Sequence, residues 1–199
     1  MGSPQLLRGI PPEAVSDVAQ LLVDSFALKL EYQLRPRTPE QAFRLVAGSI
    51  NAELGWVALD EGDAVAGVVG VGRRGRRFSH MGFGMLAREF GWVAAIPRWV
   101  LVAGEAILTR PKKRQWRVEA IAVRESARGG GVGTALLAAV IESAREAGMR
   151  TVELEVVDVN ERAMRLYEQI GFRRIFTLPT GLLTARGGYH GVRFMRLDL

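Results

Sequence analysis

Arg128-Gly129-Gly130-Gly131-Val132-Gly133-Thr134 stands between a short apolar strand pattern, Val118–Val123, and a helical pattern running from Gly131 to Ala147. A turn of this composition presents several backbone N–H groups without side-chain obstruction. They are aimed from a helix N-terminus that carries partial positive charge, so the stretch reads as an anion site suited to a pyrophosphate. Taken alone, the glycines equally suit a tight strand-to-helix turn. Two phosphate motifs are excluded. A P-loop needs Gly-Lys-Ser/Thr, but Gly133 is followed directly by Thr134. A dinucleotide fingerprint needs a third glycine where Thr134 or Leu136 stands. A second match, Gly70-x-Gly72-x-x-Gly75, follows a strand but runs into arginines instead of a helix, and is read as chance.

Working outward, Val132, Leu136, Val140, Ile141 and Ala144 fall on one side of the helix. Thr151–Val157 alternates, with Val152, Leu154 and Val156 on one face and Glu153 and Glu155 on the other. Asn160–Ile170 returns to helical spacing through Ala163, Leu166, Tyr167 and Ile170, and 172–178 and 191–197 read as closing strands. On the N-terminal side, Pro11-Pro12-Glu13 and Pro39-Glu40 each open a helix. Trp56–Leu59 and Ala64–Val71 flank Asp60-Glu61-Gly62-Asp63 as an antiparallel hairpin. Strands alternating with helices predict an α/β sheet.

Residues 72–115 differ in character. Arg73, Arg74, Arg76 and Arg77 precede a long apolar run, Phe83–Leu108, and Arg110, Lys112, Lys113, Arg114 and Arg117 follow it. Arg98 and Glu105 interrupt the run, which argues against a membrane span of ~20 apolar residues. Two helices bent at Pro97 are expected. A surface element anchored by Trp92 and Trp99 is the competing reading.

The 199 residues are 48% hydrophobic and 24% charged, a composition for one globular domain over 1–199. The chain has no cysteine, which excludes disulfides, thiolate metal sites and a thioester carried on the protein. Only His80 and His190 are available as imidazoles, so no metal site is expected. The net charge of +6 favours anionic ligands in general. Charge runs are usually solvated faces, and no nucleic-acid partner is expected. MGSPQLLRG lacks the apolar stretch of a secretory signal, so a cytoplasmic protein is the expectation.

The segment RESARGGGVGTALLAAVIESAREAG (124–148), followed by VNERAMRLYEQIGF (159–172), resembles the GNAT N-acetyltransferase superfamily. Arg128, Gly131 and Gly133 meet the family's Arg/Gln-x-x-Gly-x-Gly/Ala pattern. Asn160, Ala163, Leu166-Tyr167 and Gly171-Phe172 meet its second signature in order and spacing. The likeness covers 116–176 closely and the N-terminal part loosely, but not the apolar stretch 78–113. It implies an α/β fold whose central sheet is mixed, mostly antiparallel and splayed between central strands. Helices would flank both faces, with the apolar helical insertion as an addition.

The resemblance further implies acyl transfer, usually acetyl, from a coenzyme A thioester to a primary amine. The pyrophosphate would sit on the amides of Arg128, Gly129, Gly130, Gly131, Val132, Gly133 and Thr134. The pantetheine arm would lie along Ile121, Ala122 and Val123, with the Ile121 N–H at the thioester carbonyl. Asn160 would bond the arm beside Ala163, with a helix cap as its other role. Tyr167 is the expected general acid for the departing thiolate. Glu119, placed two residues before Ile121 and so on the same strand face, is the expected base; Glu153 and Glu155 are weaker candidates. Without a cysteine, direct transfer in a ternary complex is the natural mechanism. The acceptor, a small molecule or a protein amine, would lie under a roof formed by Phe83–Leu108. The other reading is a non-catalytic acyl-CoA binder whose insertion meets a partner or a membrane surface, and the insertion's hydrophobicity also suits a homodimer.

Overall fold

The computed structural model describes residues 4–181 and 188–199. Seven strands, β1 (Gln5–Arg8), β2 (Gly55–Leu59), β3 (Val65–Gly72), β4 (Gln115–Val123), β5 (Thr151–Val157), β6 (Arg173–Pro179) and β7 (Gly191–Asp198), form one sheet. Their order is β1-β2-β3-β4-β5-β7-β6. Every pairing is antiparallel except β4 with β5. That parallel pair is short. Gln115, Trp116 and Arg117 oppose Thr151, Val152 and Glu153, and beyond them the strands separate. The sheet is therefore mixed, mostly antiparallel and split at its centre.

Helices cover both faces. On one side lie α1 (Val15–Ser25), α2 (Ala27–Gln33), α3 (Pro39–Ser49), α4 (Phe83–Phe90) and α5 (Trp92–Leu108). There Val18, Leu22, Leu45 and Leu86 pack with Val57 and Val68 of the sheet. On the other side lie α6 (Val132–Glu146) and α7 (Glu161–Ile170), whose Leu136, Leu137, Val140 and Tyr167 pack on Val69, Val118 and Leu154. Leu136, Leu137 and Val140 are fully buried, and such burial contributes about 1.5–3 kcal/mol per side chain. All of β3 is buried, because helices press on it from both sides.

Local chemistry explains the ends of these elements. Pro39 occupies the first turn of α3, and Thr38 Oγ1 accepts the Gln41 N–H at 3.2 Å. Gly171, at φ +108°, closes α7 in a left-handed turn that side chains disfavour. The insertion holds two helices, but they are not divided at Pro97. Gly91, at φ +83°, makes the break, and Pro97 lies inside α5. The carbonyl left without a helical donor by Pro97 is that of Val93, whose residue is 83% exposed, so water can take its place. β1 and α2 were not anticipated, being too short to show a period.

Candidate active site

The split between β4 and β5 leaves one edge of β4 without a partner strand from Val118 onward. Residues 66–70 of β3 pair regularly with this part of β4, and the Arg124 N–H donates to the Ala66 carbonyl at 2.8 Å. Antiparallel alternation then turns the backbone groups of Ala120 and Ala122 toward β3, and those of Ile121 and Val123 into the gap. Consistent with this, the Val123 carbonyl is free of β3 and accepts Arg128 Nε at 3.2 Å.

The glycine loop stands at the mouth of the gap. Gly129 and Gly131 adopt φ +90° and +80°, and Gly131 caps α6 without any side-chain acceptor for the first turn. The first amides of α6, at Val132, Gly133 and Thr134, have no intrahelical acceptor and are open to an external anion. Gly133 lies against Val123 and Leu166, so the loop, β4 and α7 converge here. Among the described residues no cluster of three or more His, Asp or Glu could hold a metal ion.

The register between β3 and β4 slips between Gly70 and Val71, which pair with Ala120 and Val118. Glu119 is thus the extra residue of a β-bulge, and a bulge shifts the strand's face alternation by one. Ile121 packs with the α6-side cluster, whereas Glu119 and Ala120 line a cavity on the α1-side face. The expectation that Glu119 and Ile121 share a face is therefore corrected. Counting by twos fails across an inserted residue.

The Glu119 side chain is 5% exposed. Its Oε2 accepts the N–H groups of Phe78 at 3.0 Å and Ser79 at 3.3 Å. Arg77 Nε lies 2.9 Å from Oε1 as an ion pair, but outside hydrogen-bond alignment, so Oε1 has no donor bonded to it. Burial pushes the carboxyl above its ordinary range, while Arg77 and the two amides pull the other way. The Gly70-x-Gly72 pair, read as chance, has a steric reason. A Cβ on Gly70 would stand 2.0 Å from the Phe78 ring, and one on Gly72 would stand 2.4 Å from Glu119 Oε1. These glycines let the 77–79 loop and the carboxylate lie directly on β3.

The cavity beside Glu119 measures about 150 Å³. Its walls come from α1, α2, α3, the 77–81 loop and α5, and its floor from Arg117, Glu119 and Ala120 of β4 with Glu155 of β5, so it spans the split. Val102, Glu105 and Ala106 of α5, with Thr109 just past its end, form one wall. Lys29 Nζ binds Glu105 at 2.5 Å, and Gln33 also hydrogen-bonds Glu105. Arg117 bridges Glu153 at 3.5 Å and Glu155 at 3.2 Å, and Arg196 holds Glu153 at 2.7 Å. Glu153 and Glu155 are thus engaged as ion-pair partners where the strands part.

Tyr167 belongs to the opposite face. Its ring is buried with Met164, Leu136 and Phe172, and burial alone raises the phenol to about 12. Among the described residues no side chain is hydrogen-bonded to its hydroxyl. Asn160 caps α7, its Oδ1 accepting the Ala163 N–H at 3.1 Å, which leaves the amide NH₂ available. Ile121, Val123, Ala163 and Tyr167 all join one cluster, while Glu119 reaches the other face. Arg77, Lys29, Glu105 and the Phe78 and Ser79 amides escaped the sequence reading. Only the paired glycines of β3 hinted that something approached closely.

Known proteins share this fold. The Acetyltransferase (GNAT) family profile matches residues 16–172. A 94-residue stretch is 32% identical to the Xenopus laevis protein named Probable N-acetyltransferase camello; it covers 46% of this chain and 42% of that protein, less than half its length. Among solved structures, N-acetyltransferase from Staphylococcus aureus Mu50 superposes with a TM-score of 0.65 at 20% identity, over 97% of this chain and all of the other. A GCN5-related N-acetyltransferase from Kribbella flavida gives 0.63 at 20% identity, over 99% and 98%. With the family profile spanning most of its length and the split sheet to match, this chain belongs to the GNAT acetyltransferase family.

Proposed function

We propose that the protein transfers an acetyl group from acetyl-coenzyme A to a primary amine, directly, with both substrates bound. One observation carries this reading. Within three residues of β4, a buried carboxylate lining the cavity keeps one oxygen without a hydrogen-bonded donor, and backbone groups two residues on face the gap. The amides of Arg128–Thr134 and the α6 N-terminus are placed to hold the diphosphate, and Ile121, Val123 and the Asn160 amide to hold the arm that follows it.

An aliphatic amine of pKa ~10.4 is neutral in only about one molecule in 2,500 at pH 7, a cost of roughly 4.6 kcal/mol. Glu119 Oε1 removes that proton, directly or through a water. The amine nitrogen bonds to the thioester carbon, and the Ile121 N–H faces the oxygen on which charge develops; such a donor contributes about 3 kcal/mol. When the carbon–sulfur bond breaks, the electron pair leaves on sulfur and Tyr167 offers it a proton, while the second proton shed by the nitrogen passes to solvent and so restores the phenol. A phenol near 12 stays protonated at neutral pH. Full transfer to a thiolate of pKa ~8.5 is uphill by roughly 5 kcal/mol, so Tyr167 acts chiefly by hydrogen bonding until the product departs.

Calorimetry with acetyl-coenzyme A, followed by thiol release in the presence of primary amines, tests the proposal. Heat of binding and amine-dependent release are expected. Absence of both ends it. The second reading, a cofactor binder that docks through its insertion, draws on the outward side of α5, where Trp92, Val93, Ile107 and Leu108 are 74–83% exposed. Binding of acetyl-coenzyme A with no release to any amine would favour it.

A further inference from the structure

We infer that the acceptor is a compact, apolar monoamine, about the size of benzylamine or phenethylamine. The inference rests on the transferase reading and deepens it. Size comes first. A cavity of about 150 Å³ holds one benzene-sized body, whereas pockets for drug-sized ligands run from about 300 Å³ upward. It cannot enclose an aminoglycoside or a spermidine chain, and of a polypeptide it could take only the first residue.

Lining comes second. Phe26, Leu30, Val46, Phe78, Met81 and Val102 give most of the wall an apolar surface. Such a wall rewards a hydrocarbon body and offers little to a hydroxylated one.

Charge decides the rest. Three carboxylates and three strong cations line the cavity, and they are paired off: Glu105 with Lys29 at 2.5 Å, Glu155 with Arg117 at 3.2 Å, Glu119 with Arg77 at 2.9 Å. Among the described residues, a second ammonium on the acceptor would find no carboxylate outside these ion pairs, and an acceptor carboxylate no cation outside them. Either would enter unpaired, at a desolvation cost of several kcal/mol per ion. Among the buried side-chain atoms of the described residues, Glu119 Oε1 is the carboxylate oxygen without a hydrogen-bonded donor, and it can serve one amine. Polyamines and free amino acids are thereby disfavoured along with the bulky amines.

The test compares kcat/KM for phenethylamine, benzylamine, phenylalanine, putrescine, spermidine, kanamycin and a peptide with a free N-terminus, with acetyl-coenzyme A as donor. Phenethylamine or benzylamine is expected to lead each of the others by at least 100-fold. Phenylalanine carries the same ring with a carboxylate, so it isolates the charge argument from the size argument. A second arm fills the cavity from α5 with Ala106→Phe. KM for phenethylamine should rise at least tenfold while calorimetric affinity for acetyl-coenzyme A stays within twofold, which also reports that the variant is folded. Equal or better turnover of putrescine, kanamycin, the peptide or phenylalanine overturns the inference and leaves the transferase reading standing. No heat with acetyl-coenzyme A overturns both.

Discussion

The two faces of the central sheet are built on different plans. On the α6 side the proposed donor site is made from consecutive residues, Arg128–Thr134, plus a gap edge three residues long. Its recognition groups are backbone amides, so it depends on glycine conformation and on helix polarity. On the α1 side the proposed acceptor cavity gathers side chains from α1, α2, α3, α5, the 77–81 loop and two strands. Its polar groups are ion pairs between residues as distant as Lys29 and Glu105, or Arg77 and Glu119. A site made of backbone constrains a short motif and tolerates change elsewhere. A site made of assembled side chains can be re-cut by altering any wall, and here α5 provides one.

Breaking the acceptor side at Glu119 should have the largest effect. Glu119→Gln keeps the size and an oxygen to accept from the Phe78 and Ser79 amides but removes the base, and kcat should fall about 10²–10⁴-fold. Acetyl-coenzyme A affinity, read by calorimetry, should barely move, because the donor site lies on the other face. Tyr167→Phe attacks the donor side at the sulfur. A drop of about 10²-fold, at the low end for proton transfer, is expected, since a thiolate leaves tolerably unaided. A loss of acetyl-coenzyme A binding alone in that variant would instead mark the ring as packing.

Gly131→Val tests the backbone plan directly. At φ +80° a side chain is strained by roughly 1–2 kcal/mol, so acetyl-coenzyme A should bind about tenfold more weakly with little change in amine KM. Arg77→Met sharpens the other side through pH. Glu119 works as the carboxylate, so kcat/KM should rise as pH climbs through its elevated pKa. Arg77 opposes that elevation, and its removal should move the acid limb to still higher pH. A limb that stays in place would separate Glu119 from the rate. The smallest effect is expected at Gly104 in α5, where a Cβ would meet nothing within 4 Å. Gly104→Ala should stabilise the fold by about 0.5–1 kcal/mol, a few degrees in melting temperature, without changing amine KM.

The elements of the α6 side were readable because their information is local. The glycine loop, the α6 stripe and the Asn160–Phe172 signature each span less than twenty residues, and their periods survive without tertiary context. The alternating pattern of β5 was right for the same reason. The acceptor side was readable only in part. Glu119 stood out as the charge in an apolar strand, yet its face was misread, because a bulge depends on how β3 and β4 register and not on either strand alone. The break in the insertion was misassigned to Pro97, since an exposed carbonyl can be satisfied by water and Gly91 supplied the cheaper turn.

From its order of residues alone, the chain determined the alternation of strands and helices and the glycine loop before α6, set by propensity and periodicity over short spans, while the split of the sheet and the place of the phenol followed only from the family resemblance of its motifs. Tertiary structure decided which way Glu119 faces, which cations neutralise the cavity's acids and how much room an amine has. Those outcomes turn on contacts between residues tens of positions apart, where sequence spacing says nothing about distance.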